Sequence, residues 1–199
     1  MGATASDTAL NLEELLYAAS LTEDLGTKLE IYKKAEKKYP NDWRTSNNVG
    51  YILVMQNRLE EAETEFAKAD TLKADNPIVK NNLGVIARKK GKRKEAMDLF
   101  TAATSAGSEV SYNMGIVEIQ NGNYAPAVSN FGDNSSFNSA LAKLLNGTPD
   151  DAMTTLDNSN DKESALAYYL RAVIGARKNS AEILLTNLKL AIEKDATFK

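Results

Sequence analysis

The residues of this chain best placed by type and spacing to do chemistry are three adjacent carboxylate pairs, Glu13-Glu14, Glu60-Glu61 and Asp150-Asp151. Paired carboxylates can divide the work of general acid and general base, but only when they converge across a cleft. Each of these pairs instead opens a predicted helix, where the positive end of the helix dipole favours anions by itself. Ser159 and Lys162 form a lone S-x-x-K in a polar loop, without the companion motifs of that class of serine enzymes. The run from Asp157 begins like a calcium loop, with Asp157, Ser159 and Asp161 alternating. It then carries Lys162 where glycine is required and Tyr168 where the bidentate glutamate belongs, so calcium is not expected. Histidine and cysteine are both absent. That removes imidazole bases, Ser-His-Asp triads, HExxH helices, disulfides, thiolate zinc sites and thiol nucleophiles. The expectation is a protein that performs no catalysis and holds no metal or cofactor.

One charged run stands out. "RKKGKRK", Arg88 to Lys94, sets six cations around Gly91 and suits either a polyanion or a solvated turn between helices. Lys92, Arg93 and Lys94 fall where a second helix should begin, and each opposes the dipole there by about 0.3 kcal/mol or more. That mismatch keeps a polyanion-binding module as the alternative reading. No aromatic residues interleave to stack on bases. The run is not a phosphate loop either, since six residues separate Gly84 from Gly91 and Arg93 follows the lysine. The formal charge of −3 gives no general affinity for nucleic acid or an anionic membrane, so no nucleic-acid partner is expected.

With 199 residues, 43% hydrophobic and 26% charged, the chain can bury one extended core or two smaller ones. No run approaches the length of a membrane span, so no membrane insertion by this chain is expected. The opening MGATASDTA lacks the charged and apolar regions of a signal peptide. MGATAS matches the loose myristoylation pattern M-G-x-x-x-[ST]; the reading adopted is a leader of small residues, disordered over 1–8, with a native start further upstream.

The elements that must position any site follow from an internal ruler. From Gly50 the pattern steps to Asn57, Ala62, Phe66 and Ala69, and the next copy is Gly84, Gly91, Ala96, Phe100 and Ala103. A third runs Gly115, Gly122, Ala127 and Phe131; a fourth is Ala140, Gly147, Ala152 and Leu156; a fifth is Ala172, Asn179, Leu184, Leu188 and Ala191. The pattern also reaches back to Tyr32 and Ala35. Ala62, Phe66 and Ala69, at i, i+4 and i+7, share one helix face, while Gly50 belongs to the preceding helix. Small residues facing one another would let the two helices approach, with Phe66 filling the space beside them. A glycine inside a helix costs about 1 kcal/mol relative to alanine, so Gly50, Gly84 and Gly115 imply a packing need. Gly91, Gly122 and Gly147 suit helix C-termini, and Asn76-Pro77 and Thr148-Pro149 read as a capping residue before a first-turn proline. The spacing predicts about a dozen helices of roughly 8–18 residues and no strands.

These residues resemble the tetratricopeptide repeat (TPR) family, whose signature is a small residue on the first helix, an Ala-aromatic-Ala face on the second and a period of 34 residues. The resemblance implies an all-α, right-handed superhelical solenoid of antiparallel helix pairs with five to six repeats. Residues 9–133 would form the regular repeats and 134–199 degenerate ones on the same solenoid, because Gly115 and Ala140 arrive early. "NSALAKLLNG" and "ALAYYLRAVIGARKN" further look like repeats of Bacteroides-type cell-envelope proteins, which implies a periplasmic or outer-membrane-associated location, with the cytoplasm as alternative.

In the family the first helices line a concave surface that binds a partner peptide or protein. Carried onto this sequence, that groove comprises Arg44, Asn47, Asn48 and Tyr51, then Asn81, Asn82, Val85, Arg88 and Lys89, then Tyr112, Asn113 and Ile116. Asn48, Asn82 and Asn113 each stand two before their glycine, and asparagine is a mediocre helix former, so the recurrence calls for a cause: a ligand, or a neighbouring helix. The stripe holds too few cations for the two-carboxylate clamp of chaperone-binding members. The chain stops at "KDATFK" without a polar capping helix. That leads to the expectation of a piece of a longer protein, or of a second chain, possible in a homo-oligomer, covering the C-terminal end. A structural spacer within an envelope protein is the other non-enzymatic alternative.

Overall fold

Helix start signals written locally in the sequence set the frame of this computed structural model, which describes residues 10–197. The leader expected at 1–8 lies outside the described residues. Asn11, Asp24 and Asp42 cap α1 (Leu12–Leu21), α2 (Leu25–Lys38) and α3 (Trp43–Met55), each accepting a hydrogen bond from a backbone N–H of the first turn. α4 (Leu59–Leu72) follows, and Asn76 then caps α5 (Pro77–Lys89), with Pro77 in the first turn as expected. After α6 (Arg93–Ala102) a 3₁₀ turn (Thr104–Ala106) leads to α7 (Ser108–Asn121) and α8 (Tyr124–Phe131). The chain continues through α9 (Phe137–Leu145), α10 (Pro149–Asp157), α11 (Ala165–Arg177) and α12 (Ala181–Lys194). The described residues thus form twelve α-helices and no strand.

Each step of the ruler has a counterpart in the backbone. The five turn positions, Asn57, Gly91, Gly122, Gly147 and Asn179, all adopt positive φ, from 54° to 89°. This is the left-handed conformation that ends one helix and turns the chain into the next. One capping expectation fails: Thr148 accepts no backbone hydrogen bond at the start of α10, and its hydroxyl donates back to the carbonyl of Lys143 at 3.1 Å.

The glycine slots are explained by the rings rather than by small residues meeting. A Cβ on Gly50 would lie 2.7 Å from the Phe66 ring, on Gly84 2.6 Å from Phe100, and on Gly115 2.8 Å from Phe131. Phenylalanine thus packs directly against the bare backbone of the first helix, closer to the glycine than the expected place beside it.

The chain divides into two packed units, one through Val110 and one from Ser111. In the first, α3 packs on α4 and α5 on α6, and Val49, Ile52, Leu53, Phe66, Val79 and Ile86 are buried together. In the second, Ala140, Leu144, Leu156, Leu170 and Ile174 bury between α9, α10 and α11, while α11 packs against α12. Tyr112 meets Phe131 edge-on at 5.2 Å between ring centres, joining α7 to α8. The early arrival of Gly115 and Ala140 has its cause in the second helices. α4 has 14 residues, α6 has 10 and α8 has 8, with Gly132 at φ 53° stopping the last.

Candidate functional site

Two successive first helices of the first unit meet through amides. Asn82 on α5 donates its Nδ2 to the Oδ1 of Asn47 on α3 at 2.8 Å, and the Nδ2 of Asn47 lies 3.4 Å from the Oδ1 of Asn48. Asn82 therefore has the helix-to-helix partner that was one of the two expected causes, whereas Asn48 meets Asn47 of its own helix. An amide carries two N–H donors and a carbonyl that accepts twice. Among the described residues the Asn82 side chain makes this one hydrogen bond.

The bridge forms part of a pocket of about 200 Å³. Asn47, Asn48 and Tyr51 of α3 and Ile78, Asn81 and Asn82 of α5 line it, closed by Ala106 of the 3₁₀ turn and by Glu109 and Val110 at the start of α7. Five residues of the groove drawn from the sequence, Asn47, Asn48, Tyr51, Asn81 and Asn82, are thus brought together. Asn47 and Asn81 are buried, whereas Tyr51 is 52% exposed. Ile78, Ala106, Glu109 and Val110 were not expected. Ala106 lies in the 3₁₀ link after the shortened α6, while Glu109 and Val110 open α7 six and five residues before Gly115, the places that Ile78 and Val79 hold before Gly84.

The other groove residues are placed differently. Arg44 lies outside the pocket: its guanidinium makes hydrogen bonds with both carboxylate oxygens of Asp42, at 2.9 Å each, and with Glu13 on α1 at 2.8 Å. The bonds with Asp42, then Glu13, raise the Arg44 pKa above its ordinary value, and Arg44 in turn lowers that of Asp42. Val85 and Arg88 are half-buried and Lys89 is exposed on the last turns of α5. In the second unit, the Tyr112 hydroxyl accepts from Asn138 Nδ2 at 2.9 Å, Asn113 is buried, and Ile116 packs against the cluster of Ala127, Phe131 and Ala142.

The basic run is partly neutralised within its own unit. Lys90 donates to Glu63 at 2.5 Å, which raises the lysine's pKa, and lies 3.9 Å from Glu60. Lys92 pairs with Glu95 at 3.2 Å, which offsets the unfavourable dipole at the start of α6. Lys92, Arg93 and Lys94 border an open depression whose rim also carries Asp75, Glu95 and Asp98, a surface of mixed sign.

The carboxylate pairs serve helix starts. Glu14 completes a capping box with Asn11, Glu13 binds Arg44, Glu61 chelates Arg58, and Asp150 pairs with Lys178. Asp157 is taken by Arg171, which approaches its Oδ1 at 2.9 Å, donates to the carbonyl of Lys162 at 2.6 Å and lies over the Tyr168 ring. Ser159 is buried and its hydroxyl accepts from the N–H of Asp161, so the S-x-x-K stretch is a tied turn. An unforeseen carboxyl pair lies between α2 and α4. Glu36 accepts from Lys68 at 2.6 Å and from Ser46 at 2.9 Å, and these bonds with one from Glu65 outweigh its burial and lower its pKa. Burial, then the hydrogen bond and charge of Glu36, push Glu65 up to about 7. Among the described residues no group of three or more His, Cys, Asp or Glu gathers as a metal ion would need, and no helix is long and apolar enough to cross a membrane.

Comparison with known proteins agrees with this geometry. Residues 29–77 match the tetratricopeptide repeat family. No curated protein matches the chain. Among solved structures, YrrB, described as a TPR protein with an unusual peptide-binding site, is 24% identical with a TM-score of 0.59, covering 84% of this chain and 94% of its own. PilW, described as a widely conserved type IV pilus biogenesis factor, is 16% identical with a TM-score of 0.79, covering 99% and 96%. A tetratricopeptide repeat protein from Parabacteroides merdae is 19% identical with a TM-score of 0.57, covering 92% and 93%. At these identities the likeness is one of fold. The chain has the all-α fold of TPR-like superhelical solenoids, as the ruler led us to expect.

Proposed function

We propose that this protein is a non-enzymatic interaction scaffold that binds an extended peptide segment of a partner protein, with the first-unit pocket as its centre. The observation that carries the reading is the gathering of Asn47, Asn48, Tyr51, Asn81 and Asn82 around one cavity of about 200 Å³. Side-chain amides offer a donor and an acceptor together, which is what the backbone of an unpaired extended peptide requires. The exposed Tyr51 supplies a large contact surface at low entropic cost. The peptide-binding site named for YrrB, a protein of the same fold, fits this reading. Tyr112, Asn113 and Ile116 are proposed separately, as contact residues of the second unit. We further propose a periplasmic or outer-membrane-associated location, on the resemblance of the C-terminal stretches to envelope repeats; fractionation of source cells tests it.

The test is capture from source-cell extract by the native chain and by a triple variant, Asn48→Ala, Tyr51→Ala and Asn82→Ala, after circular dichroism has shown equal helicity. A protein retained by the native chain alone, in high as in low salt, is the expected result. Equal retention by both chains would overturn the reading. If salt then abolished capture, the surface around Arg93 and Lys94 would be the working one.

A further inference from the structure

The pocket described above has a sign. Its lining contains one carboxylate, Glu109, and neither lysine nor arginine. Glu109 pairs with no cation among the described residues. As the second residue of α7 it sits where the positive end of the helix dipole favours an anionic side chain. The surrounding amides are neutral, and Tyr51 presents an aromatic ring that can also face a cation. Ile78 and Val110 add apolar wall. A volume of about 200 Å³ is below the usual range for a whole small-molecule ligand and suits one side chain.

We infer that the pocket takes a basic side chain, lysine or arginine, from the bound peptide, with Glu109 as its counter-ion. This rests on the peptide-binding reading above and adds to it the chemistry of the segment recognised. The long apolar stem of such a side chain packs on Ile78 and Val110 while its charged head meets the carboxylate, the division of labour that lysine and arginine show at half-buried sites. The asparagines then hold the main chain on either side of the anchored residue. An acidic side chain in the same place would meet Glu109 as a like charge and be rejected.

A phage-displayed library of random peptides tests this, selected in parallel on the native chain, on Glu109→Gln, on Glu109→Lys and on the triple variant Asn48→Ala, Tyr51→Ala and Asn82→Ala. The native chain should enrich peptides with Lys or Arg at one fixed position. Glu109→Gln should lose that enrichment and bind the best native-selected peptide about tenfold more weakly at low salt, a difference that fades as salt rises. Glu109→Lys should enrich Asp or Glu at the same position. Peptides that depend on the three substituted residues yet show no basic enrichment, or an enrichment that survives in Glu109→Gln, would overturn this inference and leave the peptide-binding reading standing. A library that yields no binders, or binders indifferent to the triple variant, would overturn both.

Discussion

The first unit solves its packing problem with one pair of residue types, and the second with two. In the first, a bare glycine on the first helix is covered by a phenylalanine ring on the second, at Gly50–Phe66 and Gly84–Phe100. In the second, Gly115–Phe131 repeats that choice once, after which Ala140 stands in the glycine slot and Leu156, sixteen residues on, in the phenylalanine slot, both fully buried in one cluster. The small slot and the large slot compensate: a methyl group gained on one helix is matched by a smaller side chain on the other. Total volume is conserved, which is what a close-packed interior requires. Repeat identity therefore lives in the pair, and either residue alone is a poor guide to it.

The comparison can be broken or sharpened by substitution. The largest effect is expected at Arg171, the half of the second unit's ionic clamp that is itself buried. Arg171→Ala releases the segment 158–164 and should cost about 3 kcal/mol, read as a lower urea midpoint and faster amide exchange across those residues. In the first unit Gly84→Val places branched carbon against the Phe100 ring and should cost about 2 kcal/mol, read by thermal melting. Converting that pair to the second unit's type sharpens the point. Gly84→Ala with Phe100→Leu should be less destabilising than the sum of the two single changes, with a coupling of about 1 kcal/mol in a double-mutant cycle; strict additivity would deny compensation.

A smaller effect distinguishes the units by pH. Because Glu65 is raised to about 7 in the folded chain, its protonated form contributes stability that is full below its ordinary value of 4.5. That contribution is lost as pH rises through about 7. Glu65→Gln keeps a neutral, hydrogen-bonding side chain there. It should melt above the native chain at pH 8 by more than at pH 4, and equal differences at both would count against the raised pKa of Glu65. The smallest effect on stability belongs to Tyr51→Ala, within about 0.5 kcal/mol because the ring is exposed, although we expect it to weaken partner binding.

Much of the fold was legible because its signals are local or strictly spaced. Asn57, Gly91, Gly122, Gly147 and Asn179 could be read as turn residues since each keeps a distance of seven from its small residue, and all five adopt positive φ. The Phe-to-Gly relation was visible as a recurrence, but not its geometry, since spacing says that residues share a face without saying what covers them. The pocket was half legible. The asparagines repeat and could be found; Ala106 lies in the 3₁₀ link between α6 and α7, and Glu109 stands six before its glycine where Arg44 and Ile78 stand before theirs, a position that recurs while the residue type does not. A lone arginine in the apolar run "ALAYYLRAVIG" was the available signal for the Arg171 clamp, and Asp157 completes it from a stretch that otherwise mimics a calcium loop. The Glu36–Glu65 pair gave no signal, since the two residues come from helices that meet only in the fold.

The central claim is that the amide pocket is the working surface. Its most direct test places a photo-crosslinking benzophenone at position 51, and separately at positions 93 and 185, and irradiates each chain in source-cell extract. The account predicts one discrete adduct at position 51 that disappears when Asn48→Ala and Asn82→Ala are added. An adduct confined to position 93 or 185, or one at position 51 that survives those substitutions, would contradict it.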